Sequence, residues 1–368
     1  MKRISDAWAD VPLVWLCGVR RSGKTVLSKM LPPDDVLFLN CDLPSVGERV
    51  RDPALFFASA GKPVVVFDEI HQLPDPSRVL KIGTDEFPNI KILATGSSTL
   101  SASQKFKDTL TGRKRDVLLT PVTLDELPEF GVTLERRLYH GGLPQPLMSE
   151  NKEPLFYREW LDSYFARDIQ YLFGVRNMQR FNSLFEYLLR TSGGQLDLSK
   201  TAAAIGISRP TLDEHLRILE STHTLTLLRP FSSGHRDEII RQPKIYGFDT
   251  GFVSFVRGWD PLRPEDFGNL WEHVVLEWMQ ARLPGRKIHY WRDKSGYEID
   301  FVIPKARGEV DAIECKWNPA AFESKALSRF RQTYPRGRNW LLTPGVATPY
   351  QRSAGGLVVT VSSVPQNT

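Results

Sequence analysis

Eight residues, Gly18-Val-Arg-Arg-Ser-Gly23-Lys24-Thr25, have the types and spacing that hold phosphate. The glycines let backbone N–H groups close around phosphate oxygens, Lys24 adds a point charge at the outer phosphates, and the Thr25 hydroxyl can ligate magnesium. Arg21, Ser22 and Val26, in and just after this loop, are counted with it as cofactor-binding residues. A second string, Pro63 to Glu69 (PVVVFDE), runs apolar into two carboxylates. In a nucleotide hydrolase Asp68 would hold Mg2+ through water and Glu69 would polarise the attacking water. The plain alternative is a glycine-rich turn and two solvated acids.

Such a loop needs a strand before it and a helix after it. Leu13 to Leu16 is apolar, and the helix from Thr25 onward would point its positive end at the phosphates. Further apolar runs begin at Val36 (VLFLNC), Val64 (VVVFDE), Lys91 (KILATGSS) and Asp116 (DVLLTPVT). Their alternation with helical or loop connections up to about Leu147 predicts a parallel sheet with flanking helices. Ile92-Leu93-Ala94-Thr95 runs into Gly96-Ser97-Ser98. If that strand neighbours the loop, Ser97 could sense the terminal phosphate; a serine-rich turn is the alternative.

The strings GVRRSGKT, VFDEIHQLP, ATGSSTL, LTGRKRDVLLTPVTLDEL and YHGGLP follow one another in an order that resembles a family of bacterial and archaeal AAA+-type ATPases. In that family a domain of unknown function follows the ATPase domain. The resemblance implies a five-stranded AAA+ core using ATP and Mg2+, with Gly18, Gly23, Lys24 and Thr25 in the phosphate loop, Asp68 and Glu69 at metal and water, and Ser97 as sensor. It makes Arg113, in Leu110-Thr-Gly-Arg113, a candidate arginine acting in cis or across a subunit boundary; an exposed arginine without that role is the alternative. AAA+ relatives also imply a ring-like homo-oligomer.

Glu153 to Asn177 has helical periodicity, with Leu155, Trp160, Leu161, Tyr164 and Phe165 on an apolar face. It would bridge two domains. Its polar side (Arg158, Arg167, Asp168) reads first as a solvated face, with reach to a nucleotide as the alternative. Leu198 to Ile207 then offers a short helix, a turn at Gly206, and a second helix capped by Ser208 with Pro210 in its first turn and Leu212, Leu216 and Leu219 inward. Two strands joined by a Ser-Ser-Gly turn follow from Leu225, completing a winged helix, which the family resemblance also implies. Arg209, Thr211 and Arg217 on its second helix, and Arg229, Arg236, Arg241 and Lys244 on the wing, could meet DNA; Asp213 and Glu214 would oppose phosphates. A packing or subunit-contact module is the alternative.

A second chemistry lies beyond Pro261 to Pro264, which reads as a boundary. A helix bears Glu272 and Glu277, and Gly296 to Ile303 and Ala312 to Lys316 read as strands. Side chains alternate along a strand, so Glu314 and Lys316 share one face while Ile313, Cys315 and Trp317 share the other. With Asp300 and Glu272 this arrangement resembles the PD-(D/E)xK nuclease core. Asp300 and Glu314 would hold Mg2+ or Mn2+, Lys316 would activate water against a phosphodiester, and Glu272 would lend outer support. An inactive fold kept for binding, and plain solvated charges, are the alternatives. Leu357 to Val361 is expected to close the last sheet.

The expected class is therefore α/β: an AAA+/P-loop parallel-sheet domain (1–150), a helical linker with winged helix (151–260) and a small α/β restriction-endonuclease-like domain (261–368). At 368 residues, 41% hydrophobic and 25% charged, the chain suits a globular protein of two or three domains. A net charge of +5 is too small at this length to require a polyanionic partner. Three cysteines without a C-x-x-C pair indicate neither a disulfide framework nor a zinc site, and fit a reducing cytoplasm. No apolar run approaches a membrane span, and the run behind Lys2 and Arg3 leads into the phosphate loop, against a cleaved leader. The combined expectation is an ATP hydrolase acting on DNA, with a nucleotide-dependent switch acting on itself or a protein partner as the rival.

Overall fold

The computed structural model describes residues 1–96, 110–170, 173–232, 234, 242–283 and 285–365, the side chains of Arg167 and Arg307 excepted. Ser97, Arg236, Arg241 and the Arg167 side chain lie outside the described residues. The strands β1 (Leu13–Cys17), β2 (Val36–Asn40), β3 (Val64–Asp68), β4 (Lys91–Thr95) and β5 (Lys114–Leu118) form one parallel sheet in the order β2-β3-β4-β1-β5. Side chains alternate across it. Leu13, Trp15 and Cys17 enter one core with Phe57, Phe67 and Leu80, while Val14 and Leu16 enter another with Ile4, Trp8 and Leu93. Both faces are covered at the centre of the sheet, which explains why β1 and β3 are apolar runs, whereas the edge strand β5 carries Lys114, Arg115 and Asp116. The order places the loop after β1, Thr95 at the end of β4 and Asp68 at the end of β3 side by side along the sheet's carboxyl edge.

The helix Pro154–Ser163 continues into a π-helical stretch, Tyr164–Gln170, and packs with the helix Met178–Arg190. Trp160, Leu161, Tyr164 and Phe165 are buried as the spacing implies, but Leu155 is 64% exposed. The inward stripe runs Phe156-Trp160-Tyr164 and Tyr157-Leu161 at i+4 steps, so Leu155 falls outside it. Beyond lie the helix Leu198–Ile205, ended by Gly206 at φ 73°, and the helix Arg209–Ser221, whose cap Ser208 accepts from the Thr211 N–H. Then β6 (Leu225–Leu228) pairs antiparallel with β7 (Lys244–Gly247).

The last unit begins with the helix Asp266–Arg282, followed by β8 (His289–Arg292), β9 (Glu298–Pro304), β10 (Val310–Cys315), the helix Ser324–Thr333, β11 (Asn339–Leu342), β12 (Tyr350–Ala354) and β13 (Leu357–Ser362). The sheet order is β12-β13-β11-β10-β9-β8, with β9 antiparallel to both β8 and β10, and β10, β11 and β13 parallel. The expectation that Leu357 to Val361 closes this sheet is corrected: β13 is an inner strand and β12, antiparallel to it, forms the edge. The first helix covers one face through Trp271, Val275 and Met279; the second covers the other through Leu327 and Phe330.

One buried arginine ties the units together. Arg137 is 0% exposed; its Nε donates to the Val122 carbonyl (2.7 Å), Nη1 to Thr250 Oγ1 (2.9 Å) and Nη2 to the Glu277 carboxylate. Beside it Asp249 accepts from the Gly142 N–H at 2.6 Å. A guanidinium this deep is stable only with its donors filled, so the fork fixes the end of the first unit to the helices that follow. Among the described residues no helix is long and apolar enough to cross a membrane.

Candidate functional site

The phosphate loop leaves β1 with Gly18 at φ 151°, where an added Cβ would stand 2.4 Å from the Leu119 carbonyl oxygen. Gly23, at φ 98°, starts the helix Lys24–Lys29. Neither position tolerates a side chain without strain. Arg21 and Glu69 hold left-handed backbone at φ 58° and 55°, a cost that site residues often carry. Lys24 Nζ donates to the carbonyls of Gly18 (3.0 Å) and Val19 (2.9 Å), and burial holds its pKa below the ordinary lysine value against the pull of Glu69 and Asp168. Ser22 is buried with its Oγ lacking a partner, and Val26 is 67% exposed.

The metal side of the loop is built on hydroxyls. Thr25 Oγ1 donates to Asp68 (2.9 Å), and Thr95 Oγ1 donates to Asp68 Oδ1 (2.6 Å) while accepting from the Glu69 N–H (3.1 Å). Glu69 Oε2 also meets His71 Nδ1 at 3.2 Å. Thr95 and His71 were missed in sequence; a buried strand-end threonine between two functional strands is the signal that could have found the first. The residues fit Mg2+ with a nucleoside triphosphate, because Thr25 and Asp68 already face each other and their neutral hydrogen bonds can pass to a hydrated cation.

The downstream unit reaches this loop. Asp168 is 4% exposed, and its Oδ2 stands 3.2 Å from Arg20 Nη1. The expectation of a solvated face is therefore corrected for Asp168, which follows Tyr164 by four residues on the inward stripe, while Arg158 remains exposed. Trp160 Nε1 donates to the Arg20 carbonyl (3.0 Å), and Arg21 lies over the Phe156 ring at 5.3 Å. A cavity of about 280 Å³ is bounded by Gly18 to Arg21, Lys24, Thr25, Glu69 and His71 on one side and by Tyr164, Asp168, Thr222 and Thr224 on the other.

The acids and lysines of the last unit also converge. Lys316 Nζ is 3.0 Å from Glu314 Oε2 and 3.4 Å from Asp300 Oδ2, which also accepts from the Cys315 N–H at 2.8 Å. Lys244, read as an exposed wing residue, is only 4% exposed; it turns away from solvent to reach Glu298 (2.5 Å) and Glu272 (3.8 Å). That corrects the expectation of a basic wing at this position. Tyr246 donates to Glu272 at 3.1 Å. Burial and the Asp300 charge push Glu272 up to about 7 and Glu314 up to about 8. For Asp300 burial acts upward, but Lys316 and Lys244 outweigh it and hold the carboxyl below its ordinary value. Glu314 Oε1 is buried without a partner. Among the described residues no three His, Cys, Asp or Glu side chains stand where they could hold one metal ion, so a cation on Asp300 and Glu314 would need water or substrate oxygens to complete its shell.

Residues 10–128 match the family described as an AAA domain. This part of the chain is an AAA-type ATPase domain. Residues 132–263 and 267–363 match two families described as domains of unknown function (DUF8612 and DUF4143). The chain is similar to an uncharacterised protein of Mycobacterium tuberculosis, 26% identical over 341 residues covering 89% of this chain and 73% of the relative. It is also similar to one of Methanocaldococcus jannaschii, 24% identical over 320 residues covering 78% and 70%. Among solved structures, RuvB of Thermotoga maritima overlaps with a TM-score of 0.29 at 19% identity, over 61% of this chain and 87% of that one. Drosophila ORC bound to AT-rich DNA and Cdc6 overlaps with 0.24 at 13%, over 70% and 88%. Overlaps this slight assign nothing to this chain.

Within the AAA-type domain, Arg113 does not reach its own phosphate loop. Lys114, the next residue, pairs with Leu13 at the start of β1, whereas the loop follows Cys17 at its end, a strand length of about 16 Å away. Arg113 instead grips Asp85, with Nε 2.6 Å from Oδ1 and Nη2 3.1 Å from Oδ2. The reading in cis is thereby corrected.

Proposed function

We propose that the chain is an ATP-dependent switch, in which the AAA-type domain binds and hydrolyses ATP with Mg2+ and passes its nucleotide state to the units behind it. The observation that carries this reading is the shared cavity, because Tyr164, Asp168, Thr222 and Thr224 line the same space as the phosphate loop. Lys24 would leave the loop carbonyls for the outer phosphates, Thr25 and Asp68 would hold Mg2+, and Glu69, its backbone fixed by Thr95, would orient the attacking water. The metal supplies charge neutralisation on the phosphate oxygens. ATP-favoured self-association belongs to this reading, with Arg113 offered to a neighbouring copy.

A second reading has the last unit cut DNA with Mg2+ or Mn2+, using Asp300 and Glu314 as ligands, Lys316 at the water and Glu272 behind them. Two observations favour it: the helix-β8-β9-β10-helix-β11 order that brings these residues to one place, and the orphaned Glu314 Oε1. Sedimentation with and without ATP, combined with cleavage assays on single-stranded, duplex, forked and four-way DNA with each metal, tests both. ATP-dependent assembly without cleavage is the expected result. Cleavage that disappears in Glu314→Ala would put the second reading first.

A further inference from the structure

We infer that the helix Pro154–Ser163 and its continuation Tyr164–Gln170 complete the nucleotide site as a phosphate-competing latch, in which Asp168 holds Arg20 until phosphate takes its place. The inference rests on the ATP-binding reading of the loop and assigns a role within the region of unknown function.

One helical segment holds the loop at three points. Phe156 lies under the Arg21 guanidinium, the Trp160 indole holds the Arg20 carbonyl, and Asp168 holds the Arg20 side chain. Backbone and both arginines are thus committed before any phosphate arrives. The cavity they enclose already contains the carboxylates of Glu69 and Asp168. A triphosphate adds several negative charges to that space, and like charges a few ångströms apart in a partly buried cavity repel strongly. Glu69 is needed beside the attacking water; Asp168 is not, and it sits on a π-helical turn, a geometry that recurs at functional sites.

The competing partner is well matched to the exchange. A guanidinium fork donates to phosphate oxygens as readily as to a carboxylate, so Arg20 need not be left bare when Asp168 withdraws. A ligand can move a conformational equilibrium only by binding one state better than the other. Asp168 supplies that difference, since it opposes phosphate when latched and does not when withdrawn. The movement has a path onward. Four residues before Asp168, the Tyr164 hydroxyl bonds Thr222 (2.7 Å) and Thr224 (2.9 Å), at the end of the helix Arg209–Ser221 and the start of β6. Nucleotide loading would therefore be felt by the β6–β7 pair, and β7 carries Lys244 into the acid cluster.

Hydrogen exchange of the wild-type protein with and without ATP, together with the ATP affinity of Asp168→Asn, tests this. On adding ATP, amides of 18–25 should slow while those of 154–170 speed up. Asp168→Asn should bind ATP on the order of tenfold more tightly, with 154–170 already fast in the absence of nucleotide. If wild-type protein binds ATP while 154–170 stays unchanged or slows, the latch is wrong and the nucleotide reading stands. A folded Asp168→Asn variant with equal or weaker ATP affinity overturns the latch in the same way. Wild-type protein that binds no ATP overturns both.

Discussion

The phosphate loop and the last unit each set carboxylates beside lysine, and balance them in opposite ways. At the phosphate loop Lys24 is turned to backbone carbonyls, and Asp68 is satisfied by the hydroxyls of Thr25 and Thr95. Among the described residues no cation pairs with Asp68, so a metal can enter there by exchanging hydroxyl hydrogen bonds, while phosphate exchanges with Asp168 at Arg20. In the last unit Lys316 lies between Glu314 and Asp300, and Lys244 between Glu272 and Glu298. There the negative charge is already answered by ammonium groups, that of Lys244 buried and that of Lys316 half-buried, and an entering metal would have to displace them. The first site is arranged to await a charged ligand; the second is closed on itself and borrows one of its two lysines from β7, outside its own sheet.

The largest expected effects fall on the open site. Lys24→Ala should abolish tight ATP binding, since nothing else described in the loop places a primary ammonium at the outer phosphates. Glu69→Gln should keep ATP but lower turnover by about 10² to 10⁴, the range lost with a general base. Equilibrium binding and single-turnover hydrolysis separate the two. Turnover in Glu69→Gln equal to that of wild type would move the water-orienting role elsewhere, with His71 the next residue to test.

The open site was legible in sequence because its chemistry is local. Gly18 to Thr25 is one contiguous loop, and Asp68 and Glu69 end an apolar run whose composition demands a buried strand. Thr95 was passed over in favour of Ser97 because strand order, not spacing, sets β4 between β3 and β1. Asp168 was misjudged by its residue type rather than its place: it follows Tyr164 by four residues, in line with the inward stripe Phe156-Trp160-Tyr164, but a carboxylate reads as solvated until its partner Arg20, 148 residues away, is in view. The acids of the last unit were also recovered from alternation along β9 and β10. Lys244 was not, because its partners lie 28 and 54 residues away on another unit and no periodicity spans such contacts. β8 and β12 also went unread, being strands of only four and five residues, too short for alternation to stand out.

Lys244 offers the sharpest way to break the contrast. Lys244→Met keeps the aliphatic stem but removes the charge, leaving Glu272 and Glu298 without the cation buried between them, although Arg292 stays 2.9 Å from Glu298. Losing one partner of a buried pair should cost roughly 3 kcal/mol, read as a lower Tm. If the lysine stands where a metal would otherwise be tolerated, Mn2+ should restore part of that Tm in Lys244→Met but not in the double variant Lys244→Met, Glu314→Gln. No loss of Tm in Lys244→Met would mean that the cluster is held by packing alone, and the two sites would differ less than their geometry implies.

The smallest effect concerns the helix that carries Glu272. His273 is 1% exposed; its Nδ1–H faces the Asn269 carbonyl at 2.8 Å, so Nε2 is left to accept from the Ser192 hydroxyl at 2.6 Å, which in turn accepts from the Gly247 N–H at 2.7 Å. Burial pulls the imidazole down to about 3, with the Asn269 carbonyl opposing. An unfolded histidine titrates near 6.5. Between these values the unfolded chain carries a proton that the folded chain refuses, so the stability contributed by neutral His273 is fully present above about 6.5 and is lost as pH falls toward 3. The slope is at most about 1.4 kcal/mol per pH unit. Thermal unfolding of wild type and His273→Phe from pH 7 to pH 5 isolates it. The variant should be the less stable at pH 7, because it strands the Ser192 hydroxyl, and the gap should narrow toward pH 5 as the wild type alone pays for excluding the proton. A gap that stays constant would mean that the folded imidazole titrates at its ordinary value, and that the helix beside the acid–lysine cluster opens to water as the phosphate-loop cavity does.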